Sequence, residues 1–315
     1  MEQFVPLIAA VIPIYLLMVV GACLRRVSVL TPAMDDGLAK LVIHVLYPAL
    51  ILDKILGNEL LRDPAVVGWG IGVGFAIIVA GLAVGLLVGR LVGLRKGEGS
   101  RSFALTTGVQ NYGYVAIPLL MVLFREDEKG VLGMLFTHSL GVELAIWTVG
   151  MMVLRGTPIK SPRELLKGPM VAVVAGLVLV FSRLDAFIPG PVLSLLGWLG
   201  PCAFPVGLML IGTAIFDLFG KEKLSVRVCA GALVVRMVVM PVLILAAAKY
   251  LPLVVEFKQV LVVQAAMPSA VTPIIYARHY GGNPGAAVQV VLTTSIVAVV
   301  TIPLIIAWGR WWVGV

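Results

Sequence analysis

Charge is scarce in this sequence. Only 13% of its 315 residues are Asp, Glu, Lys or Arg, where a soluble domain carries about a quarter. So few charges cannot clothe a water-soluble fold of this size, and they cluster between apolar runs instead of forming a solvated face. Cysteine is scarce too: Cys23, Cys202 and Cys229 stand singly in apolar sequence. That spacing excludes a disulfide framework and a zinc-type ligand set, leaving packing residues. No cofactor or metal is implied. Also missing are His-Glu-x-x-His, Gly-x-Ser-x-Gly and a Gly-x-Gly-Asp pair of membrane aspartates, so an enzyme is not expected. No stretch remains for a soluble signalling domain, which weighs against a sensor.

What is present is apolar: 60% of residues, with a mean hydropathy of +1.07. About 20 apolar residues cross the hydrocarbon core, and the chain holds ten such runs. They fall at about 4–24, 36–56, 65–93, 101–124, 131–154, 169–187, 195–218, 225–249, 258–278 and 285–308. Prolines interrupt the seventh and ninth. The first run is too long for a signal-peptide core and has no basic region before it, so it reads as a retained membrane helix.

Loop charge sets orientation. Fifteen basic residues follow odd-numbered spans: Arg25, Arg26, Lys40, Arg90, Arg95, Lys96, Arg101, Arg155, Lys160, Arg163, Lys167, Lys221, Lys223, Arg227 and Arg278. Eight lie on the other side: Lys54, Arg62, Arg125, Lys129, Arg183, Lys249, Lys258 and Arg310. The positive-inside bias then makes the odd loops cytoplasmic and puts both termini outside a multi-pass cell membrane protein. It also accounts for the net charge of +8 without a nucleic-acid partner; the partner is the lipid bilayer.

The halves repeat a pattern. Asn111, in the fourth span, lies 63 residues after Pro48 of the second; Pro268, in the ninth, lies 63 after Pro205 of the seventh. Five spans per unit is odd, so two copies (1–155 and 156–315) must be inverted in the membrane, an arrangement common in secondary transporters. The fold expected is all-α: ten membrane helices in two inverted five-helix repeats.

Two spans combine helix breakers with polar residues. The fourth reads Gln110-Asn111-Tyr112-Gly113-Tyr114-Val-Ala-Ile-Pro118, the ninth Gln264-Ala-Ala-Met-Pro268-Ser269-Ala-Val-Thr272-Pro273. Irregular backbone at membrane depth survives only where it is buried in protein or lines a cavity. A broken helix exposes an N-terminus suited to a carboxylate and carbonyls suited to a cation. Substrate-binding candidates are Asn111, Tyr112, Gly113, Tyr114, Pro118, Gln264, Pro268, Ser269 and Thr272. Helix breaks are expected at Pro48, Pro118, Pro205, Pro268 and Pro273.

Asn111-Tyr-Gly-x-x-Ala-Ile-Pro118, with Tyr47-Pro48-Ala-Leu before it and Ala266-Met-Pro268-Ser-Ala-Val after it, resembles the auxin efflux carrier family, related to the bile acid:sodium symporters. The likeness covers essentially the whole chain. The short loop from Arg155 to Gly168 is similar to that of the bacterial branch. The resemblance implies that the fourth and ninth helices cross at their breaks, and that helices 1, 2, 6 and 7 form a scaffold for a moving unit of helices 3–5 and 8–10. It implies that Asn111 and the backbone around Pro118 and Pro268 contact an organic anion moved by alternating access, outward in the first instance. A sodium-coupled importer is the rival, with proton or sodium as co-ion. A homodimer is compatible with it. Substrate identity does not carry over.

Ionisable residues inside spans are costly and therefore functional candidates. Glu143 shares a helical face with Ser139 and Trp147, whereas His138 lies about 140° away and reads as a hydrogen-bonded packing residue. Arg236, inside the eighth span, needs a carboxylate such as Glu143 or a substrate, the structural pair with Glu143 being the first expectation. Asp53 and Asp217 read as end-of-helix caps, His44 as structural. Gly70, Gly74, Gly81, Gly85, Gly89 and Gly93 mark the third span as a close-packing helix.

Overall fold

The computed structural model describes residues 4–95, 99–157, 168–218 and 224–315. These residues form twelve helices of eight residues or more, and among them no strand. They are α1 (Phe4–Arg26), α2 (32–55), α3 (Pro64–Leu91), α4 (Ser100–Gly108), α5 (Ala116–Leu123), α6 (Arg125–Arg155), α7 (Gly168–Phe181), α8 (Gly190–Leu218), α9 (Val226–Tyr250), α10 (Val255–Ala266), α11 (Thr272–His279) and α12 (Pro284–Val313). Five of them, α3, α6, α8, α9 and α12, are long and apolar enough to cross a membrane. The loop residues Lys96, Lys160, Arg163, Lys167, Lys221 and Lys223, counted above for orientation, lie outside the described residues.

Local chemistry sets the helix starts. At α3, Pro64 takes the first position, where its missing N–H costs nothing, and the Asp63 carboxylate accepts from the Ala65 N–H at 2.8 Å. At α12, Pro284 and the Asn283 side chain, accepting from Ala286 at 3.0 Å, repeat the device. The helix α3 ends at Leu91, two residues before Gly93, whose φ of +88° few side chains adopt. Gly93 therefore leaves the glycine stripe and serves as the stop.

The rest of the stripe packs as its spacing predicts. Gly70 and Gly74 lie against Thr137 and His138 of α6, while Gly81, Gly85 and Gly89 face α4. A Cβ on Gly81 would sit 2.8 Å from the Gly108 Cα and 2.9 Å from its carbonyl oxygen. Main chains approach this closely only through glycine, and dispersion between them replaces the hydrophobic drive that lipid does not supply. Elsewhere α1 packs on α8 and α12, α2 on α7, and α10 on α6, α9 and α12.

Two prolines behave otherwise than expected. Pro48 does not break α2: the helix widens into a π turn at Val42–Leu46 and continues through Tyr47–Ile55. A proline clashes with the carbonyl four residues back, here that of His44, and widening the turn relieves the clash. Pro241 follows a second such π turn, Val234–Val239 in α9. Pro205 lies in the first helical turn after a 3-10 turn at Gly200–Cys202, and α8 runs through both. His44 is exposed. Asp217 pairs with Arg25 of α1 at 3.2 Å instead of capping a helix, and Arg25 also pairs with Asp35 of α2. Asp53 pairs with Lys54 at 2.9 Å. None of the cysteines is bonded to another: Cys23 and Cys202 are exposed, Cys229 half-buried.

Candidate functional site

Both expected interruptions at the polar stretches exist. Residues 109–115 separate α4 from α5, and 267–271 separate α10 from α11. Pro118 and Pro273 do not themselves make the breaks. They occupy the first turns of α5 and α11, where a missing N–H would have no partner in any case. Pro268 lies within the second break.

The two breaks meet through their main chains. The Asn111 N–H donates to the Pro268 carbonyl at 2.7 Å and the Ala270 N–H to the Val109 carbonyl at 2.9 Å. These bonds pair Gln110 with Ser269 in an antiparallel bridge. The Gln264 amide donates to the Tyr112 carbonyl at 3.1 Å, and the Thr294 hydroxyl of α12 accepts from the Ser269 N–H at 3.2 Å. Each non-helical segment thus satisfies part of the other's backbone, which lets irregular chain persist among apolar helices.

Side chains around this junction are less well satisfied. Gln110 and Gln264 are fully buried and Ser269 nearly so. Among the described residues, neither amide atom of Gln110, nor Oε1 of Gln264, nor Oγ of Ser269 has a hydrogen-bond partner. A buried polar atom without a partner costs about 1–3 kcal/mol, so four of them together are an expensive arrangement for packing alone. Asn111, the first candidate from sequence, contributes its main chain to the pairing.

Around the junction, the residues divide. The Tyr112 hydroxyl donates to Glu143 of α6, which also accepts from Trp147 Nε1 at 2.9 Å. The shared face of Glu143 and Trp147 is therefore real. Trp147 in turn stands edge-on to Tyr276 and Tyr280, with centroids at 5.2 and 6.2 Å. Gly113 is closed over by the Tyr47 hydroxyl, which lies where a Cβ would be, and Tyr114 packs on Gly207 of α8 and edge-on to Tyr47 at 5.5 Å. Tyr114 is thus a packing residue that seats the first break on α2 and α8. Thr272 is half-buried at the start of α11.

Arg236 has main-chain partners. It is fully buried in α9, but the pair with Glu143 is not among the ion pairs of the described residues. Its Nε donates to the Met267 carbonyl at 3.0 Å and its Nη2 lies 3.5 Å from the Gln264 carbonyl. His138 is buried against the Phe257 ring at 5.8 Å. It packs as expected, with the Gly70 main chain as its polar neighbour.

A family model described as membrane transport protein matches residues 6–167 and again 158–306. The chain belongs to this family, that of the auxin efflux carriers. No curated protein matches it. As a membrane transport protein it is an integral membrane protein, and its exposed apolar side chains, Leu16, Val178 and Val300 among them, are lipid-facing surface and need no other explanation. Among the residues of this transport protein that sequence reasoning left out, Gln110 is foremost. Its place beside Asn111 in the polar stretch was the available signal.

Proposed function

We propose that the chain is a carrier that moves a small organic anion outward across the cell membrane by alternating access, without enzymatic activity. The observation that carries this reading is the junction of the two breaks. The helices α5 and α11 both begin there, and each helix N-terminus presents free N–H groups with about half a positive charge. Two such ends together match one carboxylate. The unpartnered atoms of Gln110, Gln264 and Ser269 supply hydrogen bonding for the rest of a small polar solute. Asn111, Tyr112, Gly113, Pro268 and Thr272 would frame it.

Ten spans arranged as two inverted repeats, 1–155 and 156–315, fit the same picture. Counting α4 with α5 and α10 with α11 as single spans makes ten, and the two interrupted ones fall at matching places, fourth and ninth. The contacts of α1 with α8 and of α2 with α7 support a scaffold of spans 1, 2, 6 and 7. A rigid junction of two breaks supports their moving as one body against it. Both termini would lie outside.

The test is purified protein in liposomes, offered a panel of radiolabelled mono- and dicarboxylates with and without ion gradients, beside Asn111→Ala and Gln110→Ala proteins. We expect saturable uptake of at least one carboxylate, reduced tenfold or more by Gln110→Ala. Uptake by both variants equal to wild type would remove the site from the junction.

A further inference from the structure

The cation at the end of α10 is part of the chain. A half-helix that stops inside a membrane protein leaves carbonyl oxygens and about half a negative charge at its C-terminus. In carriers such ends are where an inorganic cation is coordinated. Here α10 stops at Ala266, and the Gln264 and Met267 carbonyls at its end face the Arg236 guanidinium, at 3.5 and 3.0 Å. Arg236 is fully buried, and its charge is not matched by a carboxylate among the ion pairs of the described residues. A buried guanidinium loses its hydration, a penalty of several kcal/mol, and needs compensating oxygens. The oxygens it has found are the ones that a free cation would use.

Position in the helix sharpens the point. Arg236 sits in the π turn Val234–Val239, whose extra residue re-aims the side chains of α9. The turn precedes Pro241, whose ring would crowd the carbonyl four residues back in an unwidened helix. Unlike Nε and Nη2, the third nitrogen, Nη1, is buried with no partner among the described residues.

We propose that Arg236 is a tethered substitute for a coupling cation: it occupies the carbonyl end of α10 permanently, so that this break needs neither sodium nor potassium. It is a positioning residue, acting through the second break. The proposal rests on the carrier reading for its transport consequence, but not for its cation chemistry.

Two measurements test it on the full-length protein. In detergent, melting of wild type, Arg236→Ala and Arg236→Lys is followed with 10 mM sodium, potassium, guanidinium or choline chloride. Wild type should be indifferent to the choice. Arg236→Ala should melt several degrees lower in choline and regain at least half of the loss in guanidinium or one of the alkali cations, and Arg236→Lys should lie closest to wild type. In liposomes, uptake by Arg236→Ala should fall at least tenfold in choline and recover severalfold with the same cation. A melting loss that no cation restores, or an Arg236→Ala protein that melts like wild type in every salt, overturns the proposal. Should Arg236→Ala not be obtained folded, Arg236→Lys decides alone: it should melt near wild type and be as indifferent to the salt, whereas a loss of many degrees that no added cation restores overturns the proposal. If no carboxylate is transported by wild type, the carrier reading fails while the melting series still decides the role of Arg236.

Discussion

Replacing Gly81 by alanine adds one methyl group where α3 meets α4, and the geometry says what it must displace. The new Cβ would lie 2.8 Å from the Gly108 Cα and 2.9 Å from its oxygen, both main-chain atoms of the opposing helix. They cannot rotate away, so the helices must separate by several tenths of an ångström along much of their contact. Overpacking of this kind costs about 1–3 kcal/mol. Gly72 on the same helix supplies the control, because a Cβ there meets nothing within 4 Å. Both substitutions gain the same helix propensity, up to about 1 kcal/mol, which cancels in the comparison. Gly81→Ala should therefore melt roughly 2–9 °C below Gly72→Ala, taking about 2–3 °C per kcal/mol for a chain of this size. The assay is retention of the monodisperse gel-filtration peak after heating in detergent. Gly108→Ala should resemble Gly81→Ala, and the double variant should lose less than the sum, since one separation of the helices serves both methyl groups. Because Gly108 is the last residue of α4 before the first break, carboxylate uptake should fall in both. Equal melting of Gly81→Ala and Gly72→Ala would refute the close-contact argument.

Tyr112→Phe removes a hydroxyl that donates to Glu143 and should lower stability by about 1.5–3 kcal/mol, as hydrogen bonds to charged groups do; a melting temperature equal to wild type counts against that bond. Trp147→Phe removes the second donor, and a Tyr112/Trp147 double-mutant cycle should give a non-zero coupling, because both hold one carboxylate. Arg25→Ala strips the charge shared by Asp35 and Asp217 and should cost more than Asp217→Asn, which leaves Arg25 its bond to Asp35. The reverse order in thermal melts would show that the Asp217 contact dominates.

The all-helical, membrane-embedded character was legible because membrane burial is written in long runs. A 20-residue apolar stretch needs no tertiary information to be recognised, and the glycine stripe of α3 announced its own packing. The two broken spans were legible for a similar reason: Gly113 and Pro268 sit among amides that lipid would reject. What the sequence concealed depended on the third dimension. Proline at 48 and at 205 looks the same as proline at 268, and only neighbouring turns decide whether the helix widens or opens. Arg236 was read as needing a carboxylate or a substrate; the main-chain carbonyls it meets at the end of α10 carry no letter in the sequence. Gln110 was passed over in favour of Asn111 because nothing in a linear reading says that the Gln110 amide ends up buried without a partner among the described residues.

The junction of the two breaks is made by main-chain atoms, and main-chain atoms do not mutate. Asn111 and Ala270 contribute their N–H groups, Pro268 and Val109 their carbonyls, and almost any residue could supply the same bonds at three of those four places. The side chains of Gln110 and Ser269, which the bridge pairs, are therefore under no duty to hold the protein together. If the junction is the site proposed above, such a division would let its recognition surface be exchanged residue by residue while the frame stays intact. Descendants of one fold could in this way come to carry different cargoes without ever passing through an unfolded intermediate sequence.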